Sequence, residues 1–327
     1  MNYPRISIVT PSFNQGQFIE QTILSVINQG YPNLEYIIID GGSTDNTVEI
    51  IQKYSEYITF WVSEKDNGQS HAINKGLRMC TGEIFNWLNS DDWYEPNALY
   101  TVAEIFAKNR YALFVSGFER HIFENGVNRV IEGTFIEKKI EQTILRCEVT
   151  QPSTFLKMET IKRIGGVTES LHFIMDGEMW IKLLMLFGQD GFVKSKTVFV
   201  NFRFHDNSKT VGNRIHDNFL IERCSIICGL LNQLNLEDNI KDYYKYEYFK
   251  SDVKPDYSSF FEINDNFISS KKLRVYFVKN FIVAKSISGN YYDVFRGFRL
   301  LLSYRCFDFF LIKVLMKIFK SIVWKSH

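Results

Sequence analysis

Short apolar runs alternate with amphipathic stretches through the first hundred residues of the chain. The apolar runs have the length of buried strands, and the stretches between them place apolar side chains at helical spacing. Strands are predicted at residues 5–10, 34–39, 59–62 and 84–88. Helices are predicted at residues 17–29, 69–79 and 96–108, and another runs to about residue 54. Strand–helix alternation with short loops predicts an α/β fold, in which helices flank a mostly parallel central sheet. Ser43, Thr44 or Asp45 can cap the second helix.

The alternation loosens after residue 110. Strands are predicted at residues 111–117, 127–133 and 198–204, a hairpin turn at residues 124–126, and an apolar helix at residues 175–187. Beyond residue 213 the chain becomes rich in Asn, Asp, Tyr and Lys and then carries basic helical patterns. We therefore predict a first domain of residues 1–212, which holds the candidate chemistry, and a helical, basic extension of residues 213–327.

Composition narrows the class of protein. With 45% hydrophobic and 16% aromatic residues, the 327-residue chain can bury a substantial core. Its five cysteines are scattered and odd in number, which excludes a disulfide framework and favours a reducing cytoplasm. Cys224 and Cys228 are spaced to share a helix face, and we expect buried thiols there, because a zinc site would need two further ligands. No signal-peptide pattern and no apolar run of about 20 residues is present.

The net charge of +1 hides an asymmetry along the chain. Residues 271–327 carry 12 Lys and Arg against 2 Asp and Glu, whereas the rest carries 26 against 35. Lys313, Lys317 and Lys320 fall on one helical face, and apolar residues between 311 and 323 cover most of the remainder. Such a helix can pack on the body of the protein or lie at an anionic membrane surface. The second interpretation predicts a protein held peripherally at the cytoplasmic face of the cell membrane.

Carboxylates stand where two of the predicted strands end. Asp40 closes one apolar run, and Asp91 and Asp92 follow another. In open α/β sheets, ligands bind beyond the carboxyl ends of the strands. Mg²⁺ and Mn²⁺ prefer carboxylate oxygens and leave positions for phosphates, so the pair suits a bridge between a cation and a diphosphate. Asp40 could accept from the imide N–H of a nucleotide base.

Each of these carboxylates also has a purely structural interpretation. Asp91 or Asp92 could cap the helix that follows Pro96, and Asp40 could simply shape the turn at Gly41 and Gly42.

Two later segments add candidate chemistry. Asp176 lies at the start of an apolar helix, where it can cap the helix or act as a general base toward a sugar hydroxyl, with Glu178 as its neighbour. Arg203, His205 and Lys209 follow the late strand in a polar segment. They suit a diphosphate clamp, and the imidazole is also a candidate metal ligand.

The chain resembles the family 2 glycosyltransferases, which have the GT-A fold for nucleotide-diphospho-sugar transfer. The resemblance covers about residues 6–210 and rests on blocks that occur in the family's order. They are residues 7–14 (SIVTPSFN), 40–45 (DGGSTD), 66–76 (DNGQSHAINKG) and 88–92 (LNSDD). The chain departs from the family's usual residues at Gly41, Asn89 and Met175. A subgroup of the family is similar to this chain at the first two of these positions.

The resemblance implies a role for each matching residue. It places Thr10, Pro11, Phe13, Asp40, Asp66 and Gln69 around the nucleotide, and Asp91 and His205 at a Mn²⁺ or Mg²⁺ ion. Asp92 would lie close to the donor sugar, and Arg203 and Lys209 beside the diphosphate. Asp176 would correspond to the base that deprotonates the acceptor hydroxyl, so that a single in-line displacement inverts the anomeric carbon.

The expected substrates are a nucleotide-sugar donor, with UDP favoured, and a glycan or lipid-linked acceptor of a bacterial surface polysaccharide. A nucleic-acid partner is not expected. A nucleotidyltransferase of similar fold and a non-catalytic scaffold are the alternatives. Residues 10–16 contain no Lys or Arg, which counts against the first, and the joint presence of Asp40, Asp91, Asp92 and Asp176 counts against the second.

Overall fold

The computed structural model describes residues 3–206, 208, 209, 213–248, 260–306, 313, 314 and 316. The chain divides into two compact units, Met1–Arg223 and Cys224–His327. The functions that we assigned to residues 1–212 and 213–327 stay predictions.

Strands occur only in the first unit among the described residues. They are β1 (Ile6–Ser12), β2 (Leu34–Asp40), β3 (Phe60–Ser63), β4 (Ile84–Trp87), β5 (Trp93–Tyr94), β6 (Phe114–Phe123), β7 (Asn128–Ile131), β8 (Thr154–Lys157) and β9 (Phe192–Phe204).

Helices separate most of these strands and form the remainder of the fold. They are α1 (Ile19–Ile27), α2 (Thr47–Lys53), α3 (Gln69–Met79), α4 (Ala98–Lys108), α5 (Ile140–Arg146), α6 (Met158–Arg163), α7 (Met175–Phe187), α8 (Asn213–Gln233), α9 (Asp238–Asp242), α10 (Ser270–Ile287) and α11 (Tyr291–Ser303). A 3₁₀ turn spans Ser55–Tyr57, and a π-helical turn spans Tyr243–Tyr248.

All strands join one sheet of order β3-β2-β1-β4-β8-β6-β9-β5, with β7 paired to β6. The half formed by β3, β2, β1 and β4 is parallel, as the strand–helix alternation predicts. Its register aligns Ser12 at the end of β1 with Asp40 at the end of β2. The carboxyl ends of these strands therefore meet along one edge of the sheet.

The other half of the sheet is mixed. β8 runs antiparallel to both β4 and β6, β9 runs parallel to β6, and β5 runs antiparallel to β9. The hairpin predicted at residues 124–126 is present between β6 and β7, with Gly126 at φ 79°. β5 and β8, with two and four residues, are too short to leave a periodic pattern, and the sequence did not predict them.

Two of the predicted helix caps differ from the structure. Asn46 is the residue before α2, and the Asp45 carboxylate accepts the backbone N–H of Thr47 at 3.0 Å. Asn97 precedes α4 in a left-handed conformation with φ 63°. The structure therefore does not support the interpretation that Asp91 or Asp92 caps α4.

The core of the first unit forms where the helices cover the sheet. Ile8, Ile38 and Ile84 of the parallel strands are fully buried together with Ile23 of α1 and Leu99 of α4. On another helix, Gly76 of α3 lies against β1, so closely that a Cβ atom there would come within 2.5 Å of Val9 Cγ1. This contact sets how near α3 can lie to the strand that ends at the candidate site.

The second unit has a helical core of its own. Tyr244 and Phe277 are fully buried against each other, with ring centroids 5.1 Å apart, and the Tyr244 hydroxyl donates to the Phe277 carbonyl. Cys224 and Cys228 are buried, as expected, with their sulfur atoms 3.8 Å apart.

Within the part of the chain that the structure describes, no helix is both long and apolar enough to cross a membrane. The basic helix predicted around Lys317 and Lys320 lies outside the described residues.

We predict that Gly76→Ala destabilises the protein by about 1–3 kcal/mol, because the added methyl group overpacks the contact with Val9. Urea unfolding would measure the loss. Arg78→Ala, on the exposed side of the same helix, serves as the control and should change stability by less than about 0.5 kcal/mol. Combining Gly76→Ala with Val9→Ala should cost less than the sum of the two single changes, and strict additivity would contradict the packing account.

Candidate active site

Asp40 shapes the turn at the end of β2. One of its oxygens accepts from the Ser63 hydroxyl at 2.6 Å and from the backbone N–H groups of Gly42 and Ser43 at 3.1 and 2.8 Å. The other accepts from the Ser43 hydroxyl. The side chain is fully buried. Four donors thus fix this carboxylate in place, which is the structural interpretation offered for it, and its contact with a nucleotide base stays a prediction.

Asp66 and Gln69 lie beside this turn. The Asp66 carboxylate approaches Gly41 so closely that a Cβ atom there would lie 3.0 Å from it. Gln69 donates to the Asn89 side chain at 2.8 Å and accepts from Lys209 at 2.8 Å. These contacts of Asp66 and Gln69 connect the end of β2, the start of α3 and the segment that precedes Asp91.

The three residues predicted at the end of β1 differ in their accessibility. Thr10 and Pro11 are buried, and the Thr10 hydroxyl is 3.2 Å from that of Tyr36. Phe13 is 58% exposed, so its ring is available to stack on a ligand.

The turn that contains Asp91 and Asp92 is held by the end of β9. The backbone N–H of Arg203 donates to Asp92 at 3.0 Å, and its guanidinium donates to the Asp91 carbonyl at 3.0 Å. The guanidinium also lies 4.7 Å from the ring centroid of Phe18 and 4.5 Å from that of Trp93. Arg203 therefore fastens the acidic turn, and its predicted role at the diphosphate is not tested by these contacts.

Asp91 and His205 form the candidate cation site. His205 Nε2 lies 3.0 Å from Asp91 Oδ2, and the imidazole packs on the Phe18 ring. Among the described residues, no cluster of three or more His, Cys, Asp or Glu could hold a metal ion. A carboxylate and an imidazole fit a Mn²⁺ or Mg²⁺ ion that takes its remaining ligands from phosphates and water.

Asp92 is buried beside this pair and is 1% exposed. Burial raises the pKa of Asp92 well above its usual range, the neighbouring Asp91 raises it further, and the N–H of Arg203 opposes the shift. Within the described part of the chain, Oδ2 of Asp92 has no hydrogen-bond partner. A buried oxygen of this kind suits a ligand hydroxyl that donates a hydrogen bond to it.

Asp176 is the second residue of α7, where its carboxylate accepts the N–H of Gly177 at 2.8 Å. Withdrawal from water raises the pKa of Asp176 to about 6, and the carboxylates of Glu119 and Glu222 add to the increase. A carboxylate with such a pKa is a suitable general base near neutral pH. Its neighbour Glu178 is instead buried in an ion pair with Lys182 at 2.7 Å.

Lys209 connects the two sides of the site. Its ammonium donates to Gln69 at 2.8 Å and to the His172 carbonyl at 3.0 Å. Withdrawal from water lowers the pKa of Lys209, whereas the carboxylates of Glu222, Asp176 and Asp91 raise it. Lys209 therefore lies among acidic residues, where its ammonium would be a positive partner for an anionic diphosphate.

Comparison with known proteins shows what the chain is similar to. Residues 7–162 match the family model described as Glycosyl transferase family 2. This stretch, just under half of the chain, is similar to that family. An uncharacterized glycosyltransferase of Rickettsia typhi is 26% identical over 272 residues, which cover 76% of this chain and 79% of the relative. The putative teichuronic acid biosynthesis glycosyltransferase TuaG of Bacillus subtilis is 35% identical over 118 residues, which cover 35% of this chain and 47% of TuaG. The matches span only 35% to 40% of three other Rickettsia relatives.

A solved structure with a similar fold is that of S. aureus TarS 1-349 in complex with UDP. It superposes with a TM-score of 0.55 at 19% identity, over 75% of this chain and 70% of the other. This likeness confirms the predicted GT-A fold, with its helix-flanked sheet and helices toward the C-terminus.

Two carboxylates near the candidate site were not predicted. Glu119 is buried on β6 and acts electrostatically on both Asp92 and Asp176, whose pKa values it raises. Glu222 on α8 accepts the consecutive backbone N–H groups of His172, Phe173 and Ile174, each at 2.9 Å. Neither residue belongs to a recognisable motif. Each is brought to the site by contacts between distant parts of the chain, which the sequence pattern does not show.

The contact of Glu222 fixes the loop that leads into Asp176. We predict that Glu222→Ala leaves three N–H groups without their acceptor and lowers the free energy of unfolding by about 1–3 kcal/mol. Amide hydrogen exchange at residues 172–174 should accelerate by at least tenfold, and Glu222→Gln, which keeps one acceptor oxygen, should show a smaller effect.

The matched control is Glu159→Ala, which removes an exposed glutamate from α6. It should leave exchange at residues 172–174 unchanged. Equal exchange in wild type and Glu222→Ala would show that the loop is held by other contacts.

Proposed function

We propose that this chain is an inverting glycosyltransferase that moves a sugar from a nucleotide-diphosphate donor, with UDP favoured, to a hydroxyl group of a glycan or lipid-linked acceptor. The observation that carries the proposal is the pairing of two different acidic sites. Asp91 with His205 suits a cation, and Asp176, with a pKa near 6, suits a base. Transfer of a sugar from a diphosphate to a hydroxyl needs both functions.

In the proposed reaction, Asp176 accepts the proton of the acceptor hydroxyl as that oxygen attacks the anomeric carbon. The new glycosidic bond forms while the bond between the anomeric carbon and the diphosphate oxygen breaks, and the configuration inverts. Asp91 and His205 would hold a divalent cation, whose chemistry there is charge neutralisation on the diphosphate. Lys209 adds positive charge beside the leaving group, and the free oxygen of Asp92 accepts a hydroxyl of the donor sugar.

The nucleotide would lie over the ends of β1 and β2, between the exposed Phe13 and Asp66. UDP is favoured because TarS has been solved with UDP and with UDP-GlcNAc, and the fold is similar. A role in bacterial surface polysaccharide assembly is supported by the relationship to TuaG, whose name assigns it to teichuronic acid biosynthesis. The ligands of TarS and the pathway of TuaG are properties of those proteins. For this chain, the donor and the acceptor are proposed.

We also propose that the second unit brings the enzyme to an anionic membrane surface, where a lipid-linked acceptor would be found. Ile287, Tyr292 and Phe295 are 76%, 77% and 55% exposed around the connection between α10 and α11. Residues 271–327 carry the excess of basic residues. Exposed apolar rings with basic neighbours favour the interface of an anionic bilayer.

The nucleotide assignment predicts a metal-dependent thermal shift. In a panel of UDP, GDP, CDP and dTDP, each with and without Mn²⁺, UDP with Mn²⁺ should stabilise the protein most. At a hundredfold excess over the dissociation constant the gain is about 2.7 kcal/mol. His205→Ala should reduce the part of the shift that depends on Mn²⁺, whereas Arg78→Ala should not. No response to any nucleotide would refute the donor site.

The base assignment predicts how rate and stability depend on pH. With the donor found in the nucleotide panel, kcat/KM should fall as the pH drops below about 6, because Asp176 must be ionised to accept a proton. Asp176→Asn should lower the rate by about 10²–10⁴-fold.

The same substitution separates catalysis from folding. The folded-state pKa of Asp176 lies above its unfolded value, so its contribution to stability is present below the unfolded pKa and is lost as the pH rises through 6. Asp176→Asn should therefore raise the melting temperature at pH 7.5 more than at pH 4. An unchanged rate in this variant would overturn the assignment.

A further inference from the structure

Glu119 and His121 form a pair on one face of β6, two residues apart. His121 Nε2 lies 3.3 Å from Glu119 Oε2, and the glutamate is 3% exposed. The second oxygen, Oε1, is buried and has no hydrogen-bond partner within the described residues. Burial of a carboxylate oxygen without a donor is costly, which indicates a place prepared for a hydrogen-bond donor from outside the protein.

Aromatic rings surround this pair. The His121 ring lies 5.5 Å from Phe202 and 4.9 Å from Phe204, and the Phe204 ring stacks on Phe123 at 4.6 Å. We call Phe123, Phe202 and Phe204 the aromatic platform. All three rings are partly exposed, so they remain accessible to a ligand. A combination of apolar rings with a few polar groups of fixed orientation is typical of small-molecule sites.

The strand register places the pair and the platform beside the candidate active site. His121 is aligned with Phe202 on β9, and the next residue of that strand, Arg203, donates its backbone N–H to Asp92. Because β9 lies between β6 and β5 in the sheet, this one strand separates the pair from Asp92, the residue proposed to meet the donor sugar. The electrostatic effect of Glu119 on the pKa of Asp176 agrees with this placement.

We propose that Glu119, His121 and the aromatic platform bind a neutral pyranose ring of the acceptor. The inference rests on the proposed transferase function and adds a subsite and a sugar class to it. A pyranose has hydroxyl groups that can donate to Glu119 Oε1 and a face of C–H groups that can pack on the rings. Glu119 places a carboxylate at the centre of this subsite, so a ring that turns its own carboxylate or phosphate toward Oε1 would be repelled, although Arg129 lies 5.9 Å from the Phe123 ring centroid.

Saturation-transfer NMR with simple glycosides tests the subsite. The probes are the methyl β-glycosides of glucose, galactose, N-acetylglucosamine and glucuronic acid, each added to the protein with UDP. At least one neutral glycoside should receive saturation at its ring protons, and the glucuronide should receive none. Glu119→Gln and Phe204→Ala should each reduce the signal at least fivefold, whereas Tyr111→Ala, which removes a ring that is 65% exposed elsewhere, should preserve it.

Calorimetry of UDP on the same proteins separates this proposal from the transferase function. Both subsite variants should bind UDP within twofold of wild type, which also shows that they are folded. Absence of signal from every neutral glycoside, or an undiminished signal in both variants, would overturn the subsite. Glycoside binding that depends on Glu119, in a protein that binds no nucleotide, would retain the subsite and reject the proposed function.

Discussion

The candidate site depends on the attachment of one turn to a distant strand. Asp91 and Asp92 follow β4, yet their turn is fixed by Arg203 of β9, more than a hundred residues away. The guanidinium also packs on the rings of Phe18 and Trp93, which links this attachment to the residue that precedes α1. Because this residue belongs to the same strand end as His205, a single attachment sets both halves of the Asp91–His205 pair. Long-range packing therefore determines the geometry of the acidic turn.

Convergent negative charge is the second constraint on this region. Asp91, Asp92, Glu119 and Asp176 approach one another, and the pKa values of Asp92 and Asp176 rise as a result of burial and mutual repulsion. Such an arrangement is unfavourable for the empty protein and favourable for one that binds a cation or accepts hydrogen bonds from ligand hydroxyls. The ammonium of Lys209 supplies part of the compensation.

The sequence predicted what depends on local pattern. The parallel half of the sheet, α3, α7 and the acidic residues at strand ends all follow from periodicity and turn residues within short windows. The mixed half was only partly predictable, since β5 and β8 have two and four residues and pair with strands far along the chain. For the same reason Glu119 and Glu222 escaped notice, because single glutamates carry no signal until the fold brings them to their partners. The aromatic platform shows the same limit, as Phe123 and Phe204 are 81 residues apart in the sequence.

The strands at the margins of the sheet are short, which limits strand pairing between one copy of the protein and another. The described sheet ends in β3 on one side and β5 on the other, and β7 forms a further margin, with four, two and four residues. The long strands β6 and β9, with ten and thirteen residues, lie inside the sheet. A short margin offers few unpaired backbone groups to a neighbouring chain. The described sheet therefore presents a poor template for strand-by-strand aggregation.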